Sequence, residues 1–196
     1  MIPNPTTDQV AQQLARIVVR GLAAGHSVEI DSLGIFHPDA ERGCRFEPWN
    51  APRVFLAYAR EDRAAADRLF NALEASGFLP WMDTRKLLPG QNWPRAIENA
   101  IENSDFFVAC FSPASVTKRG GFHAEIRYAL DCARRMPLDE IFIVPVRLDT
   151  CRVPRSIQRE LQYVDLFPDW SRGVDHMVST MRNEVERRAQ TTAPAR

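Results

Sequence analysis

Cysteine is scarce and scattered: Cys44, Cys110, Cys132 and Cys151 are the only four, and none forms a CxxC pair. Closely spaced thiolates for zinc are lacking, so no metal site is expected. Free thiols in a reducing cytoplasm are the simpler account. An excess of one charge is lacking too: 25 Lys and Arg balance 25 Asp and Glu. No global field therefore draws the chain to nucleic acid or to an anionic membrane. Long apolar runs are missing. Phe106–Phe111 is typical of those present, whereas a membrane-spanning helix needs roughly 20 apolar residues. The start, Met1-Ile-Pro-Asn-Pro5, has no basic segment followed by an apolar one, so no signal peptide is expected. These absences point to a cytoplasmic protein without a membrane partner. Neither GxGxxG nor GxxxxGK[ST] occurs, which argues against a dinucleotide-dependent dehydrogenase or an NTPase.

What is present fits one full-sized domain and a small appendage: 196 residues, 45% of them hydrophobic. The composition breaks at Phe46-Glu-Pro-Trp-Asn-Ala-Pro-Arg53, where two prolines and a turn-forming Asn read as a linker. The expected divisions are a module over 1–48, a linker over 49–52, a domain over 53–188 and a disordered tail over 189–196.

Within the larger part, strand and helix patterns alternate. Val54–Tyr58 reads as a buried strand, and Asp62–Ser76 as a helix stopped by Gly77. Phe78–Met82 is a strand whose Pro80 cannot donate to a ladder, which puts it at an edge. Asp83–Gln91 reads as a loop. Asn92 then caps a helix in which Trp93, Ile97 and Ile101 form an apolar stripe. Asp105–Phe111 is the most continuous apolar strand and is expected at the centre. Phe122–Arg134 is helical, Ile141–Val146 and Tyr163–Phe167 are strands, and the last helix runs near Arg172–Arg188. Such alternation predicts a parallel sheet covered by helices on both faces. Ligands of such sheets sit beyond the carboxyl ends of the strands, where the strand order reverses. The loops after Tyr58, Met82 and Phe111 are the places to look.

These segments resemble a known family. Val54–Asp62, Trp81–Trp93, Ile97–Ser112, Gly120–Leu130 and Phe142–Leu148 are together, in this order, similar to the boxes of a bacterial-type TIR (Toll/interleukin-1 receptor) domain of the NAD-hydrolase kind. The resemblance covers about two-thirds of the chain, and its specificity lies in the ordered set. It implies an α/β fold with a flavodoxin-like five-stranded parallel sheet, beside a small α+β N-terminal module.

The resemblance also implies that Glu125 is catalytic. Without it, an acid near a helix start is explained by the macrodipole alone. The implied chemistry needs a single carboxylate. Glycosidases use a pair because the leaving oxygen must be protonated. The nicotinamide of NAD is a cationic pyridinium and departs neutral, so only a cation-like ribosyl transition state remains to be stabilised. NAD is then substrate rather than cofactor, and no cofactor is expected. Similar enzymes often carry Trp four residues before this Glu. Here that position is Gly121, with Phe122 beside it, and this departure bears on the rate and on activity itself. By resemblance Tyr58, Ala59 and Arg60 line the nucleotide pocket, with Arg60 able to pair with phosphate. Asp83, Lys86, Leu87 and Gly90 fall in the BB loop, where Lys86 can meet phosphate and Gly90 frees a turn. On the residues alone, Tyr58 equally ends a core strand, Arg60 is solvated and Arg85-Lys86 is an exposed pair. Trp81 and Trp93 read as core or loop anchors, and His123 as a surface histidine.

In the N-terminal module, Asp8–Ala24 reads as an amphipathic helix, and Ser27–Phe36 as a strand with a turn. Gly25–Phe36 resembles the helix-to-hairpin part of HU-type bacterial DNA-binding proteins, without their long arm. Residues 1–50 hold four basic and six acidic side chains, a net −2, so phosphate neutralisation is weak and nucleic acid is not an expected partner. The module is expected to dimerise through its helix or to pack on the larger domain. The leading expectation is a self-associating TIR NAD glycohydrolase or cyclase acting in antiphage defence. Its partners would be NAD and other TIR domains. The rival is a non-catalytic adaptor that docks other TIR domains.

Overall fold

The computed structural model describes residues 7–30, 33–40, 43–48, 51–86, 90, 92–117 and 120–192. It divides into two compact units, Met1–Ala51 and Pro52–Arg196. The first unit consists of helix α1 (Thr7–Ala23) and strands β1 (Val28–Ile30), β2 (Gly34–Asp39) and β3 (Gly43–Pro48). The strands form an antiparallel meander in the order β1-β2-β3. Strand β3 falls partly in the stretch that the prolines mark as linker. Pairing with β2 holds it there: Phe46 lies opposite Phe36 with ring centroids 4.5 Å apart, and Arg45 bonds Glu47 at 3.0 Å. Along α1, Val18 is buried, whereas Val10, Leu14 and Ile17 form an exposed apolar stripe.

The second unit is built on β4 (Arg53–Ala57), β5 (Leu79–Trp81), β6 (Phe106–Phe111), β7 (Ile143–Arg147) and β8 (Val164–Asp165). All neighbours run parallel in the order β5-β4-β6-β7-β8. This is the flavodoxin-like order, and its reversal lies between β4 and β6. Pro80 does sit on an edge strand, and Phe106–Phe111 is central. The helices are α2 (Arg63–Ala75), α3 (Asp83–Lys86), α4 (Trp93–Glu102), α5 (Pro113–Thr117), α6 (Gly121–Ala133), α7 (Arg155–Gln158) and α8 (Trp170–Thr192).

The continuous apolar strands follow from burial on both faces. Val54 and Leu56 of β4, with Phe106 and Val108 of β6, meet Leu69 and Leu73 of α2 and Met177 and Met181 of α8. Phe55 and Ala57, with Phe107, Ala109 and Phe111, face the other way onto Ile101 of α4 and Ile126 of α6. An aromatic row crosses that second face. Trp81, Phe55 and Phe107 stack at 4.9 and 5.3 Å, and Phe142 follows at 6.5 Å.

Further segments differ from the sequence reading. The start of the Asp83–Gln91 loop is the single turn α3, while Leu87, Leu88, Pro89 and Gln91 lie outside the described residues. Helix α8 runs to Thr192, four residues into the stretch expected to be a disordered tail. The short helices α5 and α7 were not foreseen, since one turn carries no periodicity.

Helix α8 approaches β8 so closely that residue 173 must lack a side chain. A Cβ there would lie 2.4 Å from the carbonyl oxygen of Asp165 and 2.8 Å from Cα of Leu166. Both are backbone atoms and cannot swing aside. Gly173→Ala is therefore expected to cost about 2–4 kcal/mol despite its better helix propensity, read as a lowered Tm. An unchanged or raised Tm would show that α8 can slide away from the sheet.

Candidate functional site

Two clefts open near the carboxyl edge of the sheet, and Gly121 lines both. The first is a groove of about 260 Å³ between α4 and α6, lined by Trp93, Ile97, Ile101, Ala124, Glu125 and Tyr128 among others. The second, of about 220 Å³, is lined by Tyr58, Ala59, Arg60, Ser115, Gly120 and Phe122.

Glu125 is the fifth residue of α6 and is half-buried. Burial in the apolar groove raises its carboxyl from 4.5 to about 7, and the negative charge of Asp83 adds to the rise. The neighbouring Gly121 puts no side chain against the carboxylate, where a Cβ would lie 3.7 Å from Oε1 of Glu125. Any larger side chain would start from that point.

Tyr58, just beyond β4, donates to Oδ1 of Asp83 at 2.8 Å, and its oxygen lies 3.0 Å from the Thr84 hydroxyl. The Thr84 amide donates to the same Asp83 oxygen at 2.7 Å. Burial and the Asp83 carboxylate push the Tyr58 phenol up to about 12. It therefore stays neutral and ties the end of β4 to the start of α3. Ala59 is buried and Arg60 is exposed in the 3-10 turn Arg60–Asp62. The loops that follow β4 and β6 are tied to each other. The Ser112 hydroxyl at the end of β6 donates to Asp62 at 2.6 Å, and the Ser115 hydroxyl accepts from the Ser112 amide at 2.8 Å.

The remaining residues named from sequence are less concentrated. Phe122 is buried and packs edge-on against Phe111 at 5.6 Å, so it lines the second cleft while belonging to the core. Half-buried His123 packs on Phe122. Gly90 is exposed with φ of 84°, a backbone that favours glycine. Leu87 and the side chain of Lys86 lie outside the described residues. Arg85 turns away to Asp67 at 2.8 Å and covers the Phe70 ring at 4.1 Å.

Trp93 was misread as an anchor. Its side chain is 64% exposed and lines the Glu125 groove. The stripe of Trp93, Ile97 and Ile101 runs outward from a buried end to an open one: Ile101 is buried, Ile97 half-buried and Trp93 exposed. Spacing gives the face of a helix but not where along it the core stops. Among the described residues no group of three or more His, Cys, Asp or Glu could hold a metal ion, and no helix is long and apolar enough to cross a membrane.

The five-stranded parallel sheet in this order, with a cleft between the loops that follow β4 and β6, defines the class. The family model described as "TIR domain" matches residues 54–178, so the chain belongs to the TIR domain family. It is similar to the uncharacterized protein y4cD of Sinorhizobium fredii, with 23% identity over 184 residues. That match takes in 93% of this chain but only 28% of the relative's length. Among solved structures, a TIR-STING receptor from C. gigas in complex with 2',3'-cGAMP is 25% identical with a TM-score of 0.55, over 64% of this chain and 38% of that one. The TIR domain of the Toll-related receptor TRR-2 from Hydra magnipapillata is 24% identical with a TM-score of 0.51, over 64% and 97%. The TIR domains of the activated Roq1 resistosome give 19% identity and a TM-score of 0.54, over 67% and 99%.

Proposed function

We propose that this TIR domain cleaves NAD at the bond between nicotinamide and ribose, with Glu125 as its catalytic residue. The observation that carries the reading is an acid half-buried in an apolar groove near the carboxyl edge of the sheet, with no side chain at Gly121 set against it. The C1′–N bond breaks, its electron pair goes to the pyridinium nitrogen, and nicotinamide leaves neutral. The positive charge left on the ribose is stabilised by the Glu125 carboxylate, in a setting where low polarity strengthens the attraction. Water then adds to C1′ and releases a proton, which a carboxylate of raised basicity can accept. ADP-ribose results; attack by an internal nucleophile of the same molecule gives a cyclic form instead. Tyr58 and Arg60 in the adjoining cleft suit the nucleotide end, with Arg60 pairing to phosphate. The domain acts on self-association, as an effector of antiphage defence. The division of labour is a TIR enzyme over 53–188 and a self-associating module over 1–48.

Nicotinamide release from NAD, followed by chromatography over a range of protein concentrations, tests this. The rate per molecule is expected to rise with concentration, with ADP-ribose or a cyclic isomer as the second product. No release at any concentration, in samples that light scattering shows to self-associate, would leave the docking adaptor as the function.

A further inference from the structure

Asp62 stands at the capping position of α2, yet its side chain makes no capping bond. An Asp there ordinarily accepts from an amide of the first turn. Here the carboxylate is engaged by the loop after β6 instead, where the Ser112 hydroxyl, 50 residues further along the chain, donates to it at 2.6 Å. The same hydroxyl accepts from the Ser115 amide at 3.1 Å. The Ser115 hydroxyl in turn accepts from the Ser112 amide at 2.8 Å and donates to the Ser112 carbonyl at 3.1 Å. Both serines are buried, where an unpaired hydroxyl is unfavourable, so the cluster keeps one arrangement.

The two loops joined in this way are the walls of the second cleft. Tyr58, Ala59, Arg60 and Glu61 come from the loop after β4, and Ser115 from the loop after β6. Asp62 also closes the 3-10 turn that carries Arg60, its amide donating to the Ala59 carbonyl at 2.8 Å. The last β4–β6 pair is Ala57 and Ala109. Beyond it the Asp62–Ser112 bond sets how far apart the walls stand. Such a bond is charge-assisted and short, and Asp62 is half-buried, where water competes poorly. We propose that Asp62 is a positioning residue for the nucleotide end of the ligand: through Ser112 and Ser115 it holds the second cleft at the width, and Arg60 at the bearing, that a diphosphate-linked nucleoside requires. This rests on the NAD-cleavage reading and adds to it the residue that pre-forms the part of the site remote from the broken bond. A loose wall would have to be ordered by the ligand, which lowers affinity. Glu125 lies in the other groove, so Asp62 bears on binding rather than on the chemical step.

The test uses the full chain and ADP-ribose, which keeps the nucleotide end and has no nicotinamide bond to break. Asp62→Ala and Ser112→Ala should each weaken its binding about tenfold in calorimetry. The double variant should lose no more than either alone, because the same bond is removed in all three. Asp62→Asn keeps an oxygen that can accept from Ser112 and should recover most of the affinity. In steady state Asp62→Ala should raise KM for NAD with little change in kcat. Gly173→Ala, which strains the contact of α8 with β8 instead, should bind ADP-ribose as wild type does, which separates positioning from general destabilisation. Additive losses in the double variant, or an affinity indifferent to Asp62→Ala and Ser112→Ala, overturns the proposal. So does a wild type that takes up no ADP-ribose. Asp62-dependent binding in a protein that never releases nicotinamide would sustain the positioning role and remove the catalytic reading. Glu125-dependent release with a KM untouched by Asp62→Ala would do the reverse.

Discussion

Glu125→Gln is expected to make the protein more stable and less active at the same time. The folded carboxyl has its pKa raised from 4.5 to about 7, by burial first and Asp83 second. Between those values the folded state holds a proton that the unfolded chain has released, so stability falls as pH rises through that window. Above pH 7 the fold carries a poorly solvated carboxylate, and the neutral amide relieves it. The variant should gain about 1–3 kcal/mol at pH 8 and nothing at pH 4. Urea unfolding at the two pH values reads this directly. An equal effect at both would mean that the carboxylate is well solvated. Loss of the group that stabilises the ribosyl cation should lower nicotinamide release by roughly 10²–10³-fold. The same burial that costs stability keeps water from screening the charge.

Glu184→Ala is expected to have the opposite sign and a comparable size. Glu184 on α8 is buried, and its oxygens accept from Arg187 at 2.8 Å, Arg188 at 2.9 Å and the Ile141 amide at 3.2 Å. The Arg187 hydrogen bond, with help from Arg188 and the Ile141 amide, holds the carboxyl down at about 2. Arg188 goes on to the Ile141 carbonyl at 2.8 Å, so the cluster fastens the end of α8 to the segment entering β7. Removing the acid takes the buried carboxylate from two guanidinium groups, which keep the Asp139, Asp105 and Ile141 carbonyls, and takes an acceptor from the Ile141 amide, at a cost of about 2–4 kcal/mol. For a depressed carboxyl the sign reverses. Its stabilisation is complete above pH 4.5 and is lost as pH falls toward 2, amounting to about 3 kcal/mol. Glu184→Gln should flatten that part of the acid-unfolding curve. An acid limb identical to wild type would contradict the assignment.

The burial of these two acids was invisible in sequence, and the reason is physical. Spacing on α8 puts Arg187 and Arg188 beside Glu184, but only packing decides that this cluster is buried and that Glu125 faces an apolar groove. Elements with long apolar periodicity were legible: the central Phe106–Phe111 strand, the edge placement imposed by Pro80, and the Asn92 cap. Strand β3 was not, because Gly43–Pro48 mixes charges and a proline, and only its pairing with β2 makes it a strand. The candidate site was half legible. Glu125, Tyr58 and Arg60 came from the order of the family boxes, and the fold puts them at two clefts that share Gly121. Trp93 was hidden by its own stripe, which suggests core at every position along it.

The most direct measurement of the central claim is nicotinamide release from NAD by concentrated wild-type protein beside Glu125→Gln. Steady release by the first and release slower by roughly 10²–10³-fold from the second, both folded, is the predicted result. Equal release by the two would contradict the role given to Glu125, and its absence from both would remove the reaction altogether.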